Sequence, residues 1–408
     1  MFLISVSALR RNAAVLRDLK ERAGCQIVLA LKGFACWKTF SYLREDLDGC
    51  CASGLWEGLL ARDYFGKHVL AYSPAYEDDD IAQLCEFAHH LDFNSLGQWQ
   101  NFKSQIMAHP RYRSGELKCG LRINPECSTG QTPIYDPCVP GSRLGITAAQ
   151  LHGADLTGIS GLHFHTLCEQ NADDLGKTMA AVAERFGEIL RRPEISYLNM
   201  GGGHWITKPF YDRDSLVSLV RSAADEFGVD VWLEPGEAVA IHTGVLRARV
   251  MDVFESAGHR IAILDVSATA HMPDVLEMPY RPDVYLVSQG VEQGMVAAAS
   301  NPAVMLDGER YHRCADPNDS VDTVAGESWV YRLGGPTCLA GDSVGDYLFP
   351  RQLVPGDCLV FDDMAHYTMV KTTTFNGVKH PPIALQHEDG RVEVIRRFGY
   401  EDFRDRLA

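Results

Sequence analysis

A chain of 408 residues exceeds what one ordinary hydrophobic core fills, so one large domain with a smaller companion is expected. With 46% hydrophobic and 23% charged residues the composition is that of a soluble globular protein, and no apolar run approaches the roughly 20 residues of a membrane span. The formal net charge of −16 argues against nucleic acid and anionic membranes as partners and is compatible with a cationic small molecule.

The opening segment Met1-Phe2-Leu3-Ile4-Ser5-Val6-Ser7 lacks the basic region and long apolar stretch of a signal peptide and reads as a short strand, which predicts a cytoplasmic protein. Twelve cysteines in that setting, none at C-x-x-C spacing, predict reduced and mostly buried thiols rather than disulfides. Downstream, short apolar runs alternate with segments of helical period. Strands are predicted at Ile27–Leu31, Gly49–Ala52, His68–Tyr72, Leu91–Phe93, Leu117–Ile123, Ile159–Phe164, Tyr197–Met200 and Asp230–Leu233. Helices are predicted at Ser41–Leu47, Glu57–Tyr64, Asp79–Ala88, Ala172–Leu190 and Ser215–Phe227. Eight such strands imply a closed parallel (β/α)8 barrel over residues 7–244.

After Gly244 the pattern changes to strands with turn signals, at Val245–Phe254, Arg260–Asp265, Asp283–Val287, Trp329–Leu333, Cys358–Phe361 and Val392–Arg397. A mostly β domain over 245–408 is expected, with Phe2–Val6 packing into it. The fold class is therefore α/β, a TIM barrel followed by a β domain.

Each barrel strand runs into a polar or small residue: Lys32, Ser53, Ser73, Asn94, Asn124, His165, Gly201 and Glu234. Barrel active sites form at that end. Taken alone, Lys32 could be a solvated strand terminus, and Gly201-Gly202-Gly203 could be a turn. Taken together, an amine, a flat aromatic ring, a glycine loop and the carboxylate of Glu234-Pro235-Gly236 suit pyridoxal 5′-phosphate. The amine condenses with its aldehyde, glycine N–H groups approach its phosphate without a Cβ in the way, and the carboxylate keeps its pyridine nitrogen protonated. His163 and His165 share one face of a strand, as a metal pair would, but no third ligand stands at matching spacing and no metal is expected.

With these residues, Ala30-Leu31-Lys32, Cys51-Ala52-Ser53, Phe164-His165, Met200-Gly201-Gly202-Gly203, Glu234-Pro235-Gly236, Gly335-Pro336-Thr337-Cys338 and Tyr367-Thr368, the chain resembles the fold-type III pyridoxal-phosphate decarboxylases. That family includes the ornithine and diaminopimelate decarboxylases and has an alanine-racemase-type barrel. The resemblance spans nearly the whole chain. Ala30-Leu31-Lys32-Gly33-Phe34, His163-Phe164-His165-Thr166-Leu167-Cys168-Glu169 and His271-Met272-Pro273-Asp274 resemble the branch acting on carboxylated polyamines such as carboxynorspermidine and carboxyspermidine.

The resemblance implies that Lys32 binds the cofactor and His165 stacks on its ring. It places Gly201, Gly202, Gly203, Gly236 and Tyr367 at the phosphate and Glu234 at the ring nitrogen. It further implies a homodimer with shared sites, in which Cys338 delivers a proton to Cα in the neighbouring subunit and Asp342 lies near the substrate tail. Without it, Cys338 would read as an inert thiol.

Two departures bear on the substrate. Glu237 stands where the family usually has an arginine, associated in the diaminopimelate decarboxylases with the substrate's distal carboxylate, and Leu339 replaces the aspartate typical of ornithine decarboxylases. An acid favours a cationic tail, although Glu237 would also suit a helix start. Glu237, Asp265, Asp274 and Asp342 are the candidates to pair with tail ammonium groups. The competing readings are a decarboxylase of diaminopimelate, ornithine or arginine, a racemase, and a non-catalytic regulatory binding protein.

Overall fold

The computed structural model describes residues 1–130, 132–278, 280–287, 311–315 and 329–408. The chain divides into two compact units, Arg11–Val239 and Met1–Arg10 together with Ala240–Ala408.

The Arg11–Val239 unit is a closed barrel of eight parallel strands: Gln26–Ala30, Gly49–Ala52, His68–Ser73, His90–Phe93, Lys118–Arg122, Gly161–His163, Tyr197–Asn199 and Asp230–Leu233. Gln26 and Ile27 pair with Trp232 and Leu233, closing the ring between first and last strand. The strands are buried along most of their length because helices cover the outer face and side chains fill the inner one. The interior is aromatic and polar at once. Tyr197 stacks on His90 with centroids 4.1 Å apart, and the Trp232 ring meets His90 edge-on. Gly120 and Gly161 make the room: a Cβ at either would overlap the Tyr197 side chain.

The predicted strands are all present, whereas two predicted helices are not as expected. No α-helix spans Ser41–Leu47; Trp37–Tyr42 is a 3-10 helix, followed by turns. The Asp48 carboxylate accepts from the Ile27 backbone N–H and from Lys20, both at 2.9 Å, drawing the chain back to the barrel before a helix can extend. Glu57–Tyr64 divides into an α-turn, Leu55–Leu60, and a wider π-turn, Ala61–Phe65, stopped by left-handed Gly66. Two long helices were not anticipated, Val6–Ala23 and Leu96–Ala108. In the first, Leu9, Ala13, Leu16 and Leu19 form one buried stripe at helical spacing.

The other unit is built on a ten-stranded sheet. Its main path runs Tyr311–Cys314, Val284–Val287, Cys358–Phe361, Gly244–Ser256, Phe2–Ser5, Ile383–Gln386, Val392–Arg396. His259–Leu264, Trp329–Gly334 and Ser343–Phe349 branch from Gly244–Ser256. Phe2–Ser5 is an interior strand, antiparallel to Gly244–Ser256 and parallel to Ile383–Gln386, and it is buried throughout. Phe2 joins Leu246, Leu359, Phe361 and Tyr331 in one core cluster of this unit, and Leu3 joins Val245, Val360 and Ala384 in another. Among the described residues no helix is long and apolar enough to cross a membrane.

Candidate active site

In the barrel unit the strand ends bring together Lys32, His165, Glu234 and the glycine loop, with four further residues that sequence reasoning did not select: Asp92, Arg122, Asn199 and Cys51. Lys32 follows the first strand by two residues, and its Nζ lies 3.2 Å from His165 Nε2. The side chain is exposed at its tip yet surrounded by protein atoms. That desolvation, with the charge of Arg122, lowers the affinity of the amine for its proton. His165 is likewise held neutral, by burial and by the charges of Lys32 and Arg122.

The Gly202 backbone N–H donates to His165 Nδ1 at 2.9 Å, so the neutral ring carries its proton on Nε2. Nε2–H then faces the Lys32 nitrogen, a contact that is attractive when the amine presents its lone pair. Arg122, from the fifth strand, donates to the His165 carbonyl at 3.0 Å and lies over the Tyr72 ring at 4.5 Å. It thereby fixes the His165 backbone and supplies a buried positive charge.

The loop after the seventh strand is shaped by its glycines. Gly201 and Gly203 are left-handed, with φ of 66° and 86°, and a Cβ on Gly202 would overlap the Glu234 carbonyl. Two of the expected phosphate donors are already engaged: Gly201 N–H donates to Asn199 Oδ1 at 2.9 Å, and Gly202 N–H to His165. Within the described residues the N–H groups of Gly203 and Gly236 are assigned no acceptor. The helix Arg213–Phe227 starts ten residues later and has its own N-cap in Asp212.

Glu234 is 5% exposed. Asn199 Nδ2 donates to Oε1 at 2.6 Å and His163 Nε2 lies 3.5 Å from Oε2. Burial alone would raise its pKa. The His163 charge, helped by hydrogen bonds from His163, Asn199 and the Cys51 thiol, outweighs that and holds the carboxyl at about 2. On the far side of His163, Nδ1 lies 3.1 Å from Asp92 Oδ2, and the Tyr197 hydroxyl donates to Asp92 Oδ1 at 2.6 Å. The signal that could have found Asp92 and Arg122 is a charge inside an otherwise apolar strand, Leu91-Asp92-Phe93 and Leu121-Arg122-Ile123. Glu237 is half-buried and opens the short helix Glu237–Ala240; its backbone lies against Gly33, the residue after Lys32.

The remaining candidates belong to the sheet unit. Cys338 is exposed, and its N–H donates to Asn376 Oδ1 at 2.8 Å. Asp342, expected near a substrate tail, has both oxygens engaged: Ser267 Oγ, Thr337 Oγ1 and the backbone N–H groups of Thr269 and Thr337 all donate to it within 3.2 Å. It braces the turn that presents Cys338. Asp265 is exposed and accepts from the Arg249 N–H at 2.7 Å, while Asp274 is ion-paired with Lys371. Tyr367 is half-buried and left-handed, with φ of 45°, as are His242 and Asp363. The Asp363 carboxylate lies between His366 Nε2 at 3.1 Å and His242 Nδ1 at 3.5 Å, a clamp beside Tyr367. Three strained non-glycine residues in one cluster are characteristic of a functional site.

Residues 69–365 match the family model described as pyridoxal-dependent decarboxylase, C-terminal sheet domain. The chain is 43% identical over 408 residues to the carboxyaminopropylagmatine decarboxylase of Synechocystis sp., covering 100% of this chain and 95% of that one. It is 39% identical over 402 residues to the carboxynorspermidine/carboxyspermidine decarboxylase of Campylobacter jejuni, covering 98% and 96%. The solved structure of Campylobacter jejuni carboxynorspermidine decarboxylase complexed with norspermidine superposes with a TM-score of 0.82 at 38% identity, covering 100% of this chain and 99% of that one. Diaminopimelate decarboxylase from Helicobacter pylori, 15% identical with a TM-score of 0.77, shares the fold.

Proposed function

The chain belongs to the pyridoxal-dependent decarboxylase family, and from that premise we propose that it removes CO2 from a carboxylated polyamine, carboxynorspermidine or carboxyspermidine, with pyridoxal 5′-phosphate as cofactor. The observation that carries this is the strand-end constellation, with Lys32 Nζ set 3.2 Å from a His165 ring whose tautomer Gly202 fixes.

The residues fit the cofactor. Lys32 is a desolvated amine suited to bind its aldehyde. The cradle that a Cβ would fill, with the N–H groups of Gly203 and Gly236, suits the phosphate, and Tyr367 is assigned to the same group. His165 offers a flat neutral face for the ring, and Glu234 a carboxylate for its nitrogen. When bound, pyridoxal phosphate accepts the electron pair left on Cα as CO2 departs.

The chain's own groups do the rest. Lys32 yields its place to the substrate amine. Arg122 holds the His165 backbone and so orients the imidazole that would meet the cofactor ring. Cys338, on the turn braced by Asp342, is assigned to deliver a proton to Cα in the site of a second copy, which makes the working unit a homodimer with shared sites. Glu237 is assigned to the cationic tail, where a charge-assisted hydrogen bond contributes about 1.5–3 kcal/mol. Asp265 and Asp274 already pair with Arg249 and Lys371, so a tail ammonium reaches them by competing with those cations.

A second substrate reading has its own support in the 43% relative, named for carboxyaminopropylagmatine. That name implies a guanidinium end, which a carboxylate such as Glu237 can hold through two parallel N–H···O bonds. Product formation from carboxynorspermidine, carboxyspermidine, carboxyaminopropylagmatine, diaminopimelate, ornithine and arginine, measured with purified protein and added cofactor, separates the readings. The carboxylated polyamines should exceed the three simple amino acids in kcat/KM by about a hundredfold or more, a difference of roughly 2.7 kcal/mol. A preference for diaminopimelate would overturn the proposal.

A further inference from the structure

Asp92 and His163 take no part in the steps assigned so far, yet they lie in a buried polar chain of the barrel: Tyr197, Asp92, His163, Glu234. Asp92 is 2% exposed and His163 1%. Two carboxylates this deep, with an imidazole between them, demand a definite proton count. Each ring nitrogen faces a carboxylate oxygen, at 3.1 Å for Asp92 and 3.5 Å for Glu234. A neutral imidazole has one N–H and one lone pair, so one contact would set lone pair against lone pair; an imidazolium is attractive at both. Neither contact has the geometry of an ideal N–H···O bond, so the pairing is mainly electrostatic. The opposite oxygen of each carboxylate has its own donor, Tyr197 for Asp92 and Asn199 for Glu234, both at 2.6 Å. This geometry favours an imidazolium at His163 between the Asp92 and Glu234 carboxylates, with one net negative charge enclosed.

The other groups around His163 leave that count intact. The Tyr72 ring meets it edge-on at 5.3 Å, with its hydroxyl kept protonated by burial and its face covered by Arg122. The Cys51 thiol, kept protonated by burial and by the Glu234 charge, donates to Glu234. Lys32 and Arg122 act on His165, on the mouth side. Burial works against the charge on His163, but the attraction of Glu234 first and of Asp92 beside it outweighs that and favours the imidazolium.

We infer that Asp92 and His163 are a positioning pair that decides where the proton lies between Glu234 and the cofactor's ring nitrogen. This rests on the pyridoxal-phosphate reading. With His163 positive beside it, Glu234 is a weak base, and the shared proton stays on the ring, where it also neutralises the enclosed negative charge. With that charge removed, Glu234 becomes the stronger base and takes the proton, leaving a neutral ring that withdraws electrons poorly. Asp92 acts at one remove, by keeping His163 charged.

The test uses full-length protein reconstituted with ¹⁵N-labelled pyridoxal phosphate, and compares wild type with His163→Gln and Asp92→Asn. Both replacements keep hydrogen-bonding capacity, and asparagine also keeps the shape of Asp92. In wild type the ring ¹⁵N resonance should lie at the protonated position and stay there between about pH 6 and 9, beyond the ordinary range of a histidine. In both variants it should move toward the unprotonated position at the upper end of that range, while kcat falls at least about tenfold and substrate KM changes by less than about threefold. A purely structural role would lower the melting temperature and leave the resonance where it was. If either folded variant keeps the wild-type resonance and kcat, the inference is overturned. An unprotonated ring in wild type overturns it without any variant. Failure of wild type to take up the cofactor would instead remove the pyridoxal-phosphate reading.

Discussion

The Gly202 N–H donates to His165 Nδ1, and His165 Nε2 in turn faces Lys32 Nζ. One backbone donor thus fixes the tautomer of a ring on one strand end and, through it, the state in which an amine on another is best accommodated. The lowered proton affinity of Lys32, from burial first and Arg122 second, acts in the same direction. A poised amine of this kind is the requirement for a covalent cofactor link.

Lys32→Ala should therefore abolish the visible absorbance that borohydride bleaches in the loaded protein, together with the covalent attachment that the reduction leaves behind, and lower turnover by about a thousandfold or more, with the far-ultraviolet circular dichroism unchanged. Borohydride treatment followed by peptide mapping checks the site of attachment. A variant with full activity would falsify the assignment of Lys32.

Glu237 should govern specificity through its sign. Glu237→Gln should raise KM for the carboxylated polyamine by roughly tenfold to a hundredfold, with a smaller change in kcat. Glu237→Arg should go further and admit a trace of diaminopimelate. Steady-state kinetics on both substrates decide the matter: KM unchanged in both variants would leave Glu237 only the role of an acid at a helix start.

Cys338 is assigned to the site of a second copy, so two inactive variants should complement each other. Mixing Lys32→Ala with Cys338→Ala under demonstrated subunit exchange should restore about a quarter of wild-type activity, because half of a random mixture is hybrid and each hybrid holds one intact site. No recovery would place Cys338 outside a shared site.

Asp362 supplies a pH prediction. Burial first, and the neighbouring Asp363 charge second, push its carboxyl up to about 8. The folded chain then keeps a proton that the unfolded chain releases near pH 4, so this group costs stability as pH rises from about 4 to 8, and the cost levels off above that. Asp362→Asn should remove the penalty, on the order of a few kcal/mol at pH 8. Thermal melts at about pH 5 and pH 8 should show a larger gain at the higher pH; an equal gain at both would mean that Asp362 is ionised throughout.

The barrel was legible because parallel strands buried on both faces are short continuous apolar runs, and because a functional barrel places its chemistry at their ends. Lys32, His165 and Glu234 announce themselves in this way. Asp92, Arg122 and Asn199 do not, since a charge or amide inside a strand is interpretable only once its partner on another strand is known. Glycine was read correctly as space but incompletely as donor: nothing in the triplet says that Asn199 and His165 claim the first two N–H groups. The helix Val6–Ala23 was hidden because Ser5-Val6-Ser7 extends a strand-like beginning into its first turn. The acids grouped for a cationic tail illustrate the limit of reasoning from charge alone, for Asp342 spends its oxygens on Ser267, Thr269 and Thr337, and Asp274 on Lys371.

The strand Phe2–Ser5 sits between Gly244–Ser256 and Ile383–Gln386, with Phe2 in register with both Leu246 and Ile383. During synthesis the apolar Phe2–Ser5 segment must therefore wait for Gly244–Ser256 on one side, and longer still for Ile383–Gln386 on the other. All eight barrel strands emerge within that interval, so the barrel can close while the sheet still lacks its neighbours. Sequence-distant pairing of this kind makes the sheet the slow step of folding and leaves the early segment in need of protection. The amine of Met1 donates to the Arg247 carbonyl at 2.8 Å, so an extension fused ahead of that residue would meet the sheet at its interior and not at a free edge.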